Sequence, residues 1–349
     1  MSYAPVTTIN LSAVASNWHR LSARAPGSET GATVKADGYG LGAVEVSKAL
    51  FAAGCRTFFT AYANEAIAVR AAIGSEPRIY VLNGPIKAER ALYTDHNLSG
   101  VLSTPEQVEC WFKGRLEQPF ALKFDTGMNR LGLPVSEVSA LSDAAARDHT
   151  PSLIMSHLAC GEDASNPMTI RQLGDFRAIA DHFPGIPKSL ANSAGCALGP
   201  DYAFDLTRPG IALYGGAPDT DTVVTLTAKI LSVHDVEPGE TVGYGATHRF
   251  EAPAKLATLS LGYADGLLRS FSNTGIAILG GQPCPFVGRV SMDLATIDVT
   301  AAAPLAKPGA SVEVLGEQAD LMAQASRAGT ISYELLTALG PRVERTYER

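Results

Sequence analysis

An α/β architecture is predicted: a (β/α)8 barrel of the TIM type, followed by a mostly antiparallel β domain. Three observations predict it. Between about residues 30 and 215, short apolar, β-branched runs alternate eight times with polar turns and amphipathic stretches. Polar and charged residues sit at or just after the carboxyl ends of six of those runs, where a barrel places its catalytic groups. After about residue 220 the alternation stops, and strand-like segments separated by turns take over.

The eight runs expected as barrel strands are Ala32–Lys35, Thr57–Thr60, Arg78–Leu82, Ser99–Leu102, Phe120–Phe124, Ser152–His157, Lys188–Ala191 and Asp205–Arg208. Ala43–Ala53, Asn64–Ile73, Pro105–Phe112, Val135–Arg147 and Thr169–His182 carry helical spacing. Gly54 and Gly74 stand where helix C-caps are expected. A helical fragment near residues 10–22 leads into the barrel. The six polar ends carry Lys35, Asn83, Asp125 with Arg130, His157, Asn192 with Ser193, and Arg208. In the second domain, Val223–Val233, Leu256–Leu261, Gly275–Leu279, Thr296–Val299 and Ser311–Leu315 are strand-like. Turns such as Glu237-Pro238-Gly239-Glu240 and Lys307-Pro308-Gly309-Ala310 separate them. Helical residues return near 318–340 and include Tyr333.

A chain of 349 residues can hold two domains with sizeable cores, expected at residues 1–218 and 219–349. It is 46% hydrophobic and 18% charged, as a globular enzyme is and a disordered chain is not. The formal charge is −7 and the 28 basic residues are scattered, so neither nucleic acid nor a membrane surface is an expected partner. The first twenty residues lack a basic segment followed by an apolar one, so no secretory signal is expected and a cytoplasmic location is. Five cysteines without a CxxC pair predict free thiols, and seven histidines without HExxH spacing predict no metal site.

The first chemical feature is Thr33-Val34-Lys35-Ala36-Asp37-Gly38-Tyr39-Gly40-Leu41-Gly42. A lysine ends an apolar strand, and a glycine-rich turn opens a helix. In an apolar pocket a lysine loses basicity and becomes a Schiff-base nucleophile or a proton acceptor. The helix start behind the turn can bind phosphate through its N–H groups. A surface lysine before an ordinary glycine turn fits the segment equally well when it is read alone. Neither the GxGxxG fingerprint nor a Walker A loop is present.

This segment resembles the cofactor-lysine motif of the alanine racemases, fold-type III pyridoxal-phosphate enzymes, and the resemblance continues along nearly the whole chain. Lys123-Phe124-Asp125-Thr126-Gly127-Met128-Asn129-Arg130-Leu131-Gly132 is similar to the family's second motif, and Ser156-His157-Leu158-Ala159 to its third. Ala191-Asn192-Ser193, Arg208-Pro209-Gly210-Ile211, Tyr244-Gly245-Ala246-Thr247, Gly262-Tyr263-Ala264-Asp265-Gly266, Gly288 to Asp293, and Tyr333-Glu334 follow in order. Each motif is short, and it is their order that is specific.

The resemblance implies interconversion of L- and D-alanine, D-alanine biosynthesis or alanine catabolism as the biological role, and a homodimer with shared active sites. Lys35 would carry pyridoxal 5'-phosphate as a Schiff base. A racemase removes a proton from one face of Cα and returns one to the other, which calls for two bases. The resemblance makes these Lys35 and Tyr244, the tyrosine coming from the partner subunit. A tyrosine titrates near about 10, so it needs cations around it to act as a base. Arg208 would face the pyridine nitrogen and hold it unprotonated, since arginine keeps its proton. His157 would buttress Arg208. Tyr39, Ser193, Gly210, Ile211 and Tyr333 would hold the phosphate, with Asn192 beside them.

Arg130 would contact the phenolic oxygen of the cofactor and the substrate carboxylate. The Met292 backbone of the partner subunit would share that carboxylate. Lys123 matches a lysine that is carbamylated in many members of the family, which would give Arg130 an anion. Tyr263 resembles an entry-channel residue, and Asp293 adjoins Met292. Asp37 and Leu41 depart from the asparagine and histidine common in the family. Glu162 and Asp163 both stand where one acidic residue is usual. A serine or broad-specificity racemase of the same family remains an alternative. A barrel-type decarboxylase is a further one, but its long glycine-rich phosphate loop is missing. A non-catalytic cofactor carrier would not need the second domain with Tyr244 and Met292.

Overall fold

The computed structural model describes residues 3–349; Met1 and Ser2, which fall in the first expected domain, lie outside the described residues. The chain divides into two compact units. One comprises residues 15–38 and 42–213; the other comprises residues up to Val14, residues 39–41 and residues 214–349.

The first unit is built on parallel strands. Ala32–Thr33, Thr57–Thr60, Arg78–Val81, Ser99–Leu102, Phe120–Lys123, Leu153–Met155 and Lys188–Ser189 form one sheet in chain order. Leu206–Thr207 pairs in parallel with Glu29–Thr30, immediately before the first of these strands. On its other side it meets the last one: the Asp205 N–H donates to Lys188 O at 3.1 Å and the Arg208 N–H to Ala191 O at 2.9 Å. Hydrogen bonds thus run around a closed ring, and all eight expected runs contribute a strand to it.

The cause is visible in the strands themselves. Thr57–Thr60, Ser99–Leu102 and Phe120–Lys123 are buried at every residue, as strands covered on both faces must be. Phe59, Tyr80, Val101, Ala121, Leu153, Met155 and Leu206 pack together as a core.

The helices between them end and begin on capping groups, of which Gly54 is an expected one. Ala43–Ala53 stops at Gly54, whose φ of 113° suits a residue without Cβ. Pro105–Lys113 starts on Thr104, which accepts from the Gln107 N–H at 3.2 Å. Pro167–Asp181 starts on Asn166, which accepts from Met168 at 2.9 Å. The Val135–Arg147 segment divides into a 3-10 turn, Val135–Glu137, and the helix Val138–Arg147.

The second unit is mostly antiparallel. Its central strand, Val224–Val236, pairs with Val6–Asn10, Ser311–Leu315 and Ala254–Leu259. Ala254–Leu259 pairs with Ala295–Asp298, and Ile276–Leu279 with Gln282–Pro285. Register shifts between Ile230 and Ser232, so the two halves of the long strand serve different neighbours. One pair is parallel: Val6–Asn10 with Glu344–Glu348. The fragment expected as helix near residues 10–22 is the helix Leu11–Arg24, and the strand Val6–Asn10, which was not expected, precedes it. Near the carboxyl end the helical residues form Leu321–Arg327 and Ser332–Thr337. Among the described residues no helix is long and apolar enough to cross a membrane. The five cysteines are all free.

Candidate active site

Lys35 follows two buried strand residues and Val34, whose N–H donates to Phe59 O at 2.8 Å. The backbone then turns left-handed for five residues in succession: Ala36 (φ 53°), Asp37 (53°), Gly38 (63°), Tyr39 (58°) and Gly40 (82°). Non-glycine residues rarely do this even singly. Local bonds hold the turn. The Gly38 N–H donates to Val34 O, and the Gly42 N–H to Asp37 O at 2.8 Å. The Ala36 N–H donates to Glu65 Oε1 at 2.8 Å.

The helix start behind the turn was a candidate phosphate seat. Its Ala43 N–H instead donates to the Asp37 carboxylate at 2.9 Å, so a carboxylate of the chain itself already serves as the anion there. The ammonium of Lys35 is pulled below the ordinary lysine range by burial and then by the Arg130 charge, with Glu65 opposing. A larger share of it is therefore the free amine, which can act as nucleophile or base.

Four cationic side chains and one imidazole share an electrostatic neighbourhood. Lys123, the last residue of its strand, is buried, and its ammonium falls to about 8. Burial is the main cause, with Arg208 and Arg130 adding to it and Asp125 opposing. Loss of water, then the charges of Arg208, Lys123, Arg130 and Lys35, hold the His157 imidazole well below its ordinary range, so it is neutral at physiological pH.

Arg208 is buried, and burial lowers it to about 10. Its guanidinium donates to Ser189 Oγ at 2.5 Å, Ser156 O at 2.6 Å and Leu190 O at 3.4 Å. Among the described residues no carboxylate pairs with it; Ser156, Ser189 and Leu190 hold it by hydrogen bonds, and His157 meets it through charge, without a hydrogen bond. Desolvating a cation without a counter-ion costs on the order of several kcal/mol, which marks Arg208 as a group kept for a ligand.

Arg130 is exposed at the end of a tight loop. The Asp125 carboxylate builds that loop by accepting from Gly127 N at 2.7 Å, Asn129 N at 3.1 Å and Arg130 N at 3.2 Å.

The residues expected around a phosphate fall into two groups. In the barrel unit, Ser193 Oγ accepts from the Gly210 N–H at 2.8 Å and the Ala212 N–H at 3.2 Å. Its own proton has no acceptor among the described residues, and neither has the Ile211 N–H, so both donors are available to an anion. Asn192 turns its Oδ1 onto Gly195 N at 2.9 Å and shapes this loop. In the other unit, the Tyr39 ring stacks on Tyr214 at 4.6 Å and lies 5.9 Å from Tyr333. Burial and the Tyr333 neighbour push the Tyr39 phenol above its ordinary range, which keeps it a hydrogen-bond donor.

The β unit carries the remaining expected residues. Tyr244 opens a 3-10 turn, Tyr244–Ala246, between Gly243 and Gly245, and is 72% exposed. Met292 is 53% exposed and Tyr263 44%. Their two segments are joined: the Tyr263 N–H donates to Ser291 O at 3.0 Å and the Ala264 N–H to Met292 O at 2.9 Å. Arg342 braces them by donating to buried Asp265 at 2.8 Å and to Asp293 at 2.7 Å. A Cβ on Gly262 would stand 2.3 Å from Met292 O, so only glycine lets the segments approach this closely.

Residues 9–218 match the family model described as "Alanine racemase, N-terminal domain", and residues 223–347 match "Alanine racemase, C-terminal domain". The chain belongs to the alanine racemase family. It is 47% identical to an alanine racemase of Methylobacterium sp. (strain 4-46), over 97% of this chain and 96% of that protein. It is 45% identical to one from Cereibacter sphaeroides (strain ATCC 17029 / ATH 2.4.9), over 97% of each. The crystal structure of the alanine racemase from Bartonella henselae with covalently bound pyridoxal phosphate superposes with a TM-score of 0.93 at 35% identity, covering 99% of this chain and all of that one. The biosynthetic alanine racemase of Pseudomonas aeruginosa superposes at 0.94 and 34% identity, covering both chains fully.

Sequence reasoning passed over two supports of this alanine racemase site. Glu65 holds the turn after Lys35 and also accepts from Ala61 at 2.8 Å. A glutamate three residues past a helix start is a capping signature that marks it in the sequence. Ser189 has no such signal, because its role depends on the neighbouring strand that carries Arg208.

Proposed function

We propose that this chain interconverts L- and D-alanine, holding pyridoxal phosphate in the barrel unit and working as a homodimer. The observation that carries the proposal is Arg208: a buried guanidinium bound, among the described residues, to a hydroxyl and two carbonyls alone. A pyridine nitrogen is an acceptor that such a group can satisfy, and arginine does not give up its proton to it. The donor set around Ser193, Gly210 and Ile211 fits a phosphate for the reason given above. When bound, the cofactor supplies a place for the electron pair left on Cα after the proton departs.

The residues of the chain do the rest. Lys35 accepts a proton from Cα on one face and returns it, with burial and Arg130 keeping its amine basic form populated. The partner subunit's Tyr244 serves the opposite face. Arg130 orients the substrate carboxylate, and the partner subunit's Met292 N–H shares it. Arg208 would face the ring nitrogen and, keeping its own proton, would leave that nitrogen unprotonated, which would favour racemisation over transamination. Association is supported by the β unit: Tyr244, Tyr263, Met292 and Leu294 leave large apolar surface in water on a single chain.

A chiral assay tests the activity. Purified holoenzyme given L-alanine is expected to yield a near-equal mixture of enantiomers without releasing carbon dioxide. Unchanged L-alanine, or decarboxylation, would sink the proposal.

Lys123 supports a second expectation. Its free amine can attack carbon dioxide: an N–C bond forms, one C=O pair moves to oxygen, and the nitrogen proton passes to water, leaving a carbamate. Only the neutral amine reacts, so at constant dissolved carbon dioxide the carbamate should grow as pH rises through about 8. Carbon NMR with isotope-labelled carbon dioxide reads it directly. A signal that is flat across that range, or that survives in Lys123→Ala, rules it out.

A further inference from the structure

The helix Pro167–Asp181 packs through Thr169, Gln172, Phe176 and Ile179, a regular buried stripe. Gln172 is the anomaly in it: a primary amide with no exposed surface in the middle of the packed face. Buried amides are costly unless every group is satisfied, and this one is satisfied entirely by the edge of the barrel. Its Oε1 accepts from the Ala159 N–H at 2.8 Å. Its Nε2 donates to His157 O at 2.9 Å and to Thr126 Oγ1 at 3.1 Å. The amide orientation is forced, because a backbone N–H can only donate and a carbonyl can only accept.

The bonds continue inward. Thr126 Oγ1 lies 2.8 Å from Ser156 Oγ, both side chains being buried. Either hydroxyl can donate in this pair, and in both cases Thr126, which already accepts from Gln172, ties Ser156 to the same amide. The Ser156 carbonyl is the acceptor at 2.6 Å from Arg208 Nη2. One side chain therefore grips the peptides on both sides of Leu158 and, through Thr126, the residue whose carbonyl fixes the guanidinium.

We infer that Gln172 is a positioning residue for the reaction: from outside the site it sets the place of the Ser156 carbonyl and hence of the Arg208 guanidinium. Its catalytic consequence rests on the role proposed for Arg208 above; its structural consequence does not. A displacement of about 1 Å in such a group costs up to about a hundredfold in rate.

The test compares wild type, Gln172→Met, Gln172→Glu and Thr126→Val. Gln172→Met keeps the shape and removes all three bonds; Gln172→Glu keeps the acceptor for Ala159 and replaces two amide donors by one O–H at most. In the apoprotein, hydrogen exchange of the Ala159 amide is expected to accelerate in Gln172→Met and stay slow in Gln172→Glu. In the holoenzyme, kcat for alanine should fall about tenfold to a hundredfold in both, with KM within about twofold. Pyruvate formed per racemisation turnover should rise, because a displaced Arg208 no longer keeps the ring nitrogen unprotonated. Thr126→Val should reproduce the rise in pyruvate and add little when combined with Gln172→Met.

Unchanged kcat and unchanged pyruvate in a folded Gln172→Met would overturn the inference, as would Ala159 exchange that does not change. If Gln172→Met does not fold, Gln172→Glu and Thr126→Val carry the same decision. Wild type that does not racemise alanine refutes the proposed function instead, and the exchange measurement still decides whether Gln172 holds the segment.

Discussion

Lys35→Ala is expected to lower racemisation by about four orders of magnitude, at the upper end of what a positioned acid–base group contributes. Two losses combine in it: the covalent anchor of the cofactor and the proton carrier for one face of Cα. The fold should survive, because Lys35 lies past its strand, the substitution keeps the backbone, and among the described residues its side chain makes no hydrogen bond. Borohydride reduction of the wild-type holoenzyme, followed by peptide mapping, should place a pyridoxyl group on Lys35; label on another lysine defeats the assignment. The rate should also rise as pH climbs through the lowered lysine titration, since deprotonation creates the base. An activity that declined over that interval would point to a lysine acting only as an anchor.

Tyr244→Phe should separate the two faces. The phenolic oxygen is lost while the ring stays, and with Tyr244 lying 72% exposed on one chain, its removal has little to disturb in that chain's own packing. In heavy water, one enantiomer of alanine should still exchange its α-proton at close to the wild-type rate. The other should lose exchange by about a hundredfold to ten-thousandfold, and racemisation should fall with it. Equal loss for both enantiomers is the result that a single-base enzyme would give.

The barrel was legible because its strands are buried on both faces and so read as plain apolar runs. Thr57–Thr60 and Ser99–Leu102 have the expected bounds, and so does the helix Ala43–Ala53. Val6–Asn10 escaped because five residues of VTTIN carry little pattern, and their partners lie far away in sequence at 224–227 and 344–348. Glu344–Glu348 is polar and mostly exposed, so its strand character comes from the neighbour it pairs with. Ordered motifs made Lys35, Arg130 and Arg208 visible as chemistry. They could not reveal that Arg208 leans on Ser156 and Ser189 rather than on His157, since that depends on the lateral register of three strands.

The left-handed run after Lys35 inverts a familiar rule of substitution. At Ala36, Asp37 and Tyr39, glycine would be the easier residue for the backbone, because each side chain there costs about 1–2 kcal/mol of steric conflict. The chain nevertheless carries side chains at all three. Asp37 uses its carboxylate to start a helix and Tyr39 uses its ring to stack on Tyr214, so at least two of the three offset that cost with contacts glycine could not make. A segment under such tension keeps one shape only while its surroundings hold it, which makes the stretch beside the reactive amine a sensitive gauge of whether the rest of the barrel has folded around it.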